Sequence, residues 1–144
     1  MNKNDFKRIL KTSLCEKGFA MFHGKFYKMT DSMIVVIDSQ KSNYDEKYYI
    51  NYGFFIKSLH NASEHPSVCE CDVRGRFHCI CEDGIKDSFI LREITEDIIL
   101  NSIENGFMTI INPVISKGII EYFNIYPNAI NACTLRLKEY INNL

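Results

Sequence analysis

Residues 69 to 84 read CECDVRGRFHCICEDG, and hold four of the chain's six cysteines, one of its four histidines and an Arg-Gly-Arg triplet. Thiols and an imidazole this close together could ligate zinc, form a nucleophile–base pair, or be a sulfur-rich piece of core. Zinc needs four ligands converging on a tetrahedron, with Zn–S near about 2.3 Å. Cys-X-Cys within one extended strand separates its side chains by about 7 Å, and the two-residue spacing usual between paired zinc cysteines is absent. A thiolate activated by a neighbouring imidazole is the second chemistry, but no spacing selects one Cys–His pair. The third is structural. A hairpin with its loop at Arg74, Gly75 and Arg76 sets Cys71 across from Cys79, Cys69 across from Cys81 and Val73 across from Phe77. All of these then share one face, with Glu70, Asp72, His78 and Ile80 on the other. The expectation is that the four thiols are reduced and line a core face as small hydrophobes, with no metal and no other cofactor. Should a metal bind after all, Cys69, Cys71, Cys79 and Cys81 are its ligands. His23, His60 and His65 fall in turn-like segments and read as solvated.

The elements that would position this segment follow from periodicity. Phe6, Ile9, Leu10 and Leu14 recur at spacings of three and four, which predicts an amphipathic helix over residues 4–17 with Gly18 beyond its end. FAMF, KFYKM and MIVVID read as strands separated by short polar turns. DSQKSNYDEK at 38–47 reads as a loop before the long apolar run YYINYGFFIKSL at 48–59, HNASEHPS at 60–67 as a turn, and SFILREI as one more short strand. From Thr95, a suitable helix cap, Ile99, Ile103, Phe107, Ile110 and Ile111 keep helical spacing. Pro113 predicts a break near 112 and a new helix after it. A second break is expected near 125, before a last helix with Ile130, Cys133, Leu137 and Ile141 on one stripe.

A helix, then consecutive strands with short connections, then helices, predicts a single α+β domain over residues 1–144. It comprises a mainly antiparallel sheet of about five or six strands with the C-terminal helices packed on it, since parallel strands would need a crossover helix between each pair. With 144 residues the chain can bury a core without staples. Its longest continuous apolar run, MIVVI at 33–37, is far short of the roughly 20 residues that cross a bilayer, so no membrane span is expected. The N-terminus is interrupted by Lys7, Arg8 and Lys11 and does not resemble a signal peptide, which places the protein in the cytoplasm, where thiols stay reduced. The net charge of −1, with no basic block, argues against nucleic acid as a partner.

Several stretches resemble a bacterial family, the domain-of-unknown-function family 4304. They are the N-terminal helix ending in GF, the early FYK, the strand running into DSQKS, the Asn and Gly of YYINYGFF, and CDVRGRF with its Cys and two arginines. They span roughly the first 80 residues in order, whereas the absence of tryptophan and the HCIC after RGRF depart from the pattern. The resemblance implies the α+β fold, carries no activity with it, and directs attention to Gln40, Lys41, Ser42, Arg74 and Arg76 as ligand- or partner-binding residues.

Two functions compete. One is a non-catalytic binding protein with a protein partner, of the kind that neutralises toxins in bacteria. The other is a small-ligand protein or enzyme in which Gln40, Ser42, Arg74 and Arg76 line an anion pocket, the arginines clamping carboxylate or phosphate through forked hydrogen bonds. The pocket requires Gln40 and Arg76 on the same face of the sheet. No motif assigns a catalytic residue, which favours the first.

Overall fold

Asn2 and Gly18 bracket the first helix. In a computed structural model describing residues 1–61 and 64–144, the Asn2 side chain accepts from the Asp5 N–H at 2.8 Å and opens α1 (Lys3–Glu16). Gly18, at φ +88°, turns the chain out of it, a left-handed conformation that suits glycine. Phe6, Ile9, Leu10 and Leu14 form the buried stripe of α1.

Among the described residues eight strands follow, all paired antiparallel. Strands β1 (Ala20–Phe22), β2 (Lys25–Met29), β3 (Met33–Lys41) and β4 (Lys47–Ile56) form a meander of neighbours. The far edge of β4 is shared by β5 (Val73–Arg76) and β8 (Phe89–Ile90). A separate hairpin joins β6 (Cys79–Cys81) and β7 (Gly84–Lys86). Residues 38–47 are not one loop: β3 runs on to Lys41, Gln40 pairs with Tyr49, and the turn is confined to 42–46. Backbone pairing with the long β4 outweighs the polar composition that suggested a loop. Of the turn expected over 60–67, residues 62 and 63 lie outside the described residues.

The expected hairpin of residues 69–81 does not form. Val73 to Arg76 instead continue the sheet, with Phe54 opposite Val73 and Asn51 opposite Arg76, and the Phe77 N–H donates to the Ile50 carbonyl at 2.9 Å. The open edge of β4 would otherwise leave a row of backbone groups unpaired in the interior. Gly75 is therefore not a turn residue. A Cβ there would collide with the Tyr52 ring that crosses it, and glycine admits that crossing. The actual turn is at Glu82 and Asp83, followed by Gly84 at φ +138°. Register also separates the cysteines. Cys79 sits in the main core and Cys81 packs against it, Cys71 lies in a small cluster on the opposite face of the sheet, and Cys69 is exposed in a 3-10 turn, Val68–Glu70.

Side-chain alternation divides the sheet. Met33, Val35 and Ile37 of β3, with Tyr48, Ile50, Tyr52, Phe54 and Ile56 of β4, face the helices and form the main core. On the outer face Tyr27, Ile34, Val36, Phe55 and Cys71 form a smaller cluster, with Val68 packed against it.

Thr95 caps α2 (Glu96–Gly106), accepting from the Ile98 N–H. The break expected near 112 is absent. A π-helical turn, Phe107–Ile111, carries the helix into α3 (Asn112–Lys117), and the chain breaks at Gly118 instead, at φ +94°. Pro113 has no N–H to give and its ring crowds the preceding turn; a wide turn just before it accommodates both without a stop. The 22-residue run Glu96–Lys117 contains an 18-residue window of mean hydropathy 1.2, long and apolar enough by composition to cross a bilayer, which the longest continuous apolar run did not reveal. Its stripe of Ile99, Ile103, Phe107, Ile110, Ile111 and Val114 is buried in the main core. Two further helices, α4 (Ile120–Ile125) and α5 (Leu135–Asn142), complete the layer, with Leu137 the buried anchor of α5. The fold is α+β, with an N-terminal helix, an antiparallel sheet and C-terminal helices, as the order of patterns implied.

Gly106 lies under the Phe77 ring, and an added Cβ would meet three ring atoms at 2.8 to 2.9 Å. Gly106→Ala is accordingly expected to destabilise the protein by about 1–3 kcal/mol through overpacking, against a helix-propensity gain of about 1 kcal/mol. Urea denaturation midpoints measure the sign; a stabilised variant would mean that Phe77 yields freely.

Candidate functional site

The polar half of the outer face forms the site. The strand register places Arg76, Asn51 and Asp38 opposite one another on β5, β4 and β3, and Lys25 adjoins the Phe26–Ile37 pair of β2 and β3. Along β3 the even-numbered residues change from Ile34 and Val36, under the small cluster, to Asp38 and Gln40, which project into an open groove of about 720 Å³. Lys25, Arg74, Arg76 and His78 line the same groove, with Ser67 and Cys69 at its edge.

The Asn51 amide is its centre. Its Nδ2 donates to Asp38 Oδ1 at 3.0 Å and to Gln40 Oε1 at 3.1 Å, and its Oδ1 accepts from Arg76 Nε at 3.2 Å. The Arg76 guanidinium lies 3.9 Å from the centre of the Tyr49 ring, a cation–π stack that fixes its plane. One edge of the guanidinium is thereby held to the protein, and its terminal nitrogens remain for a planar anion. At the rim the Ser67 N–H and hydroxyl both donate to Glu70, which holds that carboxyl below the usual carboxylate range and keeps it charged.

Of the residues singled out from the sequence, Gln40, Arg74 and Arg76 come together on one face. Lys41 does not join them: it lies opposite Tyr48, whose side chain faces the main core, and it pairs with Glu46 at 3.2 Å. Ser42 is buried in the β3–β4 turn, where its hydroxyl accepts from the Tyr44 N–H. Asp38, Asn51, Lys25 and Tyr49 were missed because their shared face depends on β3 and β4 pairing through residues read as a loop. Period-two alternation carried through Asp38 and Gln40 is the signal that finds them.

A second polar cluster lies where the sequence suggested only turns. Asp72, with a side chain 1% exposed, accepts from the Ile56 N–H at 2.8 Å, and His60 Nε2 approaches both its oxygens at 2.9 and 3.0 Å. His60 is therefore not solvated. It stacks on Phe55 at 4.0 Å, and its Nδ1 faces Arg136 Nη1 at 3.1 Å. A carboxylate demands a donor and a guanidinium demands an acceptor, so the imidazole carries its proton on Nε2. With both nitrogens engaged, the ring ties the chain rather than serving as a base. His23 and His65 are exposed as expected, although His65 stacks on Phe22 at 3.8 Å.

The cysteine segment offers no cage. Among the described residues no group of three or more His, Cys, Asp or Glu side chains is arranged to hold a metal ion. Burial, aided by the Asp72 and Glu70 carboxylates, raises the Cys71 thiol far above its ordinary range and disfavours the thiolate a nucleophile needs.

A family model described as a domain of unknown function, DUF4304, matches residues 10–117. The chain belongs to DUF4304. No curated protein and no solved structure gives a significant match. The match takes in the whole groove and ends at the last residue of α3, so α4, α5 and Arg136 lie beyond the matched part of this DUF4304 chain.

Two outcomes test this description. Asp72→Ala removes the acceptor of a buried N–H and is expected to cost about 1–3 kcal/mol, read as a shifted urea midpoint; an unchanged midpoint would show that water replaces the carboxylate. Protein purified without chelator should carry far less than one zinc per chain by elemental analysis, and stoichiometric metal would reinstate a ligand role for the cysteines.

Proposed function

We propose that this protein is a non-catalytic binding protein whose outer-face groove takes an anionic group, carboxylate or phosphate, presented by a small ligand or by a protein partner. The observation that carries this is a set of cations without ion-pair partners. Among the described residues Lys25, Arg74 and Arg76 have no carboxylate within ion-pair distance, although other basic side chains, Lys17, Lys41 and Lys86 among them, do. The one acidic residue lining the groove, Asp38, is engaged by Asn51. Three positive charges facing one concavity, with one guanidinium held flat, form a preorganised receptor for two acceptor oxygens.

Gln40 and Asn51 add specificity. Their mutual bond can be exchanged for contacts to a ligand carrying both donor and acceptor groups. A toxin-neutralising role fits the same surface if the partner presents an acidic side chain there. Fold alone does not select among partners.

The test is a titration of isotope-labelled protein with inorganic phosphate and, separately, with acetate, followed by amide NMR shifts. Saturable shifts clustered at Asn51 and residues 74 to 76 are expected. The double variant Arg74→Ala, Arg76→Ala should lose them while its stability stays within about 0.5 kcal/mol, as for surface positions generally. Shifts that survive in the double variant, or that scatter over every lysine, would refute the groove. The two sources are distinguished by affinity capture from cell extract. A partner retained by the unaltered protein and lost by the double variant makes the anion a protein's; retention of phosphate alone makes it a small ligand's.

A further inference from the structure

A pair of sulfurs outside the groove has its own geometry. Cys79 and Cys81 alternate with Ile80 along β6, so both thiols point to one side, with their Sγ atoms 3.4 Å apart. The strand is held to α2, because the Ile80 N–H donates to the Ser102 hydroxyl at 2.9 Å. No other two thiols among the described residues are within bonding reach of each other. The two members differ in access. Cys79 is fully buried, while Cys81 is half-buried and lines a concavity of about 900 Å³ beside the β6–β7 turn and the start of α2.

We propose that Cys79 and Cys81 are a reversible dithiol–disulfide site, closed by exchange with an oxidised low-molecular-weight thiol. The accessible Cys81 thiolate, its proton released to solvent, attacks one sulfur of the small disulfide. A mixed disulfide forms on Cys81, and one small thiolate leaves and takes up a proton. Cys79 then loses its proton and attacks Cys81 Sγ, forming the Cys79–Cys81 bond and expelling the second small thiol. Two protein thiols give up two electrons and two protons, and the small disulfide becomes two thiols.

Geometry accounts for both the feasibility and the reversibility. Residues two apart in a strand have Cα atoms about 6.6 to 6.8 Å apart, at the upper end of the roughly 4.4 to 6.8 Å that a disulfide spans. The sulfurs must close to about 2.05 Å, which asks β6 to shorten slightly. A three-residue strand ending in a turn can do so at Cys81. A bond made under that tension is one that thiols reopen readily. Lys86 stands directly across from Cys79 and favours the thiolate that the second step needs. Burial and the bond to Cys81 oppose it, holding the Cys79 thiol up to about 12, so the first step belongs to Cys81.

Trypsin cuts after Arg76 and Lys86, so one peptide, residues 77–86, carries both sulfurs and no other cysteine. Folded protein is incubated with oxidised glutathione, alkylated, digested and weighed. The expected result is that peptide 77–86 loses both alkyl groups, becomes two hydrogens lighter than its reduced form, and recovers both alkyl groups after dithiothreitol. Cys79→Ser should stop at glutathione attached to Cys81, and Cys81→Ser should leave Cys79 unmodified. Because either variant could unfold, the unaltered chain is also oxidised in guanidinium chloride, where a smaller disulfide fraction is expected. A peptide that stays fully alkylated while exposed Cys15 is glutathionylated overturns the proposal, as does equal closure in the folded and unfolded chain.

Discussion

Both backbone edges of β4 are occupied, and the structure is arranged around that strand. Its first edge pairs with β3 from Ile56 back to Tyr48. Its second is divided between β5 and β8, both later in the chain and both antiparallel to it. A strand hydrogen-bonded on both sides and buried at most of its positions leaves no polar backbone exposed to an apolar surrounding. This need draws Val73 to Arg76 into the sheet. It also selects Gly75, where the Tyr52 ring leaves no room for a side chain. Tyr52 then reaches the helical layer, where its hydroxyl meets that of Tyr122 at 2.9 Å. Burial raises both phenols above their ordinary range, so each stays protonated and able to donate.

The same register builds the groove. Placing Arg76 opposite Asn51, and Asn51 opposite Asp38, aligns one amide between a cation and an anion so that each is held without quenching the other. Shifting β5 by one residue would turn both arginines toward the helices and into the apolar main core. Binding chemistry and sheet pairing are in this respect one constraint.

How much of this was legible in the sequence varies with range. Helix α1 and its glycine stop, the strand character of KFYKM and MIVVI, and the buried stripe of α2 depend on neighbours within a turn or two, and periodicity exposes them. The partner of residues 73 to 76 does not. Arg-Gly-Arg between two cysteine pairs has the local chemistry of a hairpin loop, and only the vacant edge of β4, some 20 residues earlier, overrides it. Pro113 misled for a related reason: the helix continues past it because Ile110, Ile111 and Val114 are all buried, and a π turn costs less than giving up that burial. In the site, Gln40, Arg74 and Arg76 were found through resemblance and side-chain type. Asp38, Asn51 and Lys25 became visible only once the strands were aligned. His60, read as a solvated turn residue, owes its place to Asp72 and Arg136, at 12 and 76 positions' separation.

The tie between His60 and Arg136 bears on motion as well as on packing. Arg136 fastens α5 through the Leu59 carbonyl and one ring nitrogen, and of that helix only Leu137 is buried. Strand β4, by contrast, opens only if two ladders part together. The molecule therefore has an uneven internal stability: α5, anchored by Leu137 and the Arg136 contacts, opens at lower cost than the sheet, whereas Ile119 and Tyr122 before it belong to the main core. Whatever settles in the groove meets a floor held by two ladders at once.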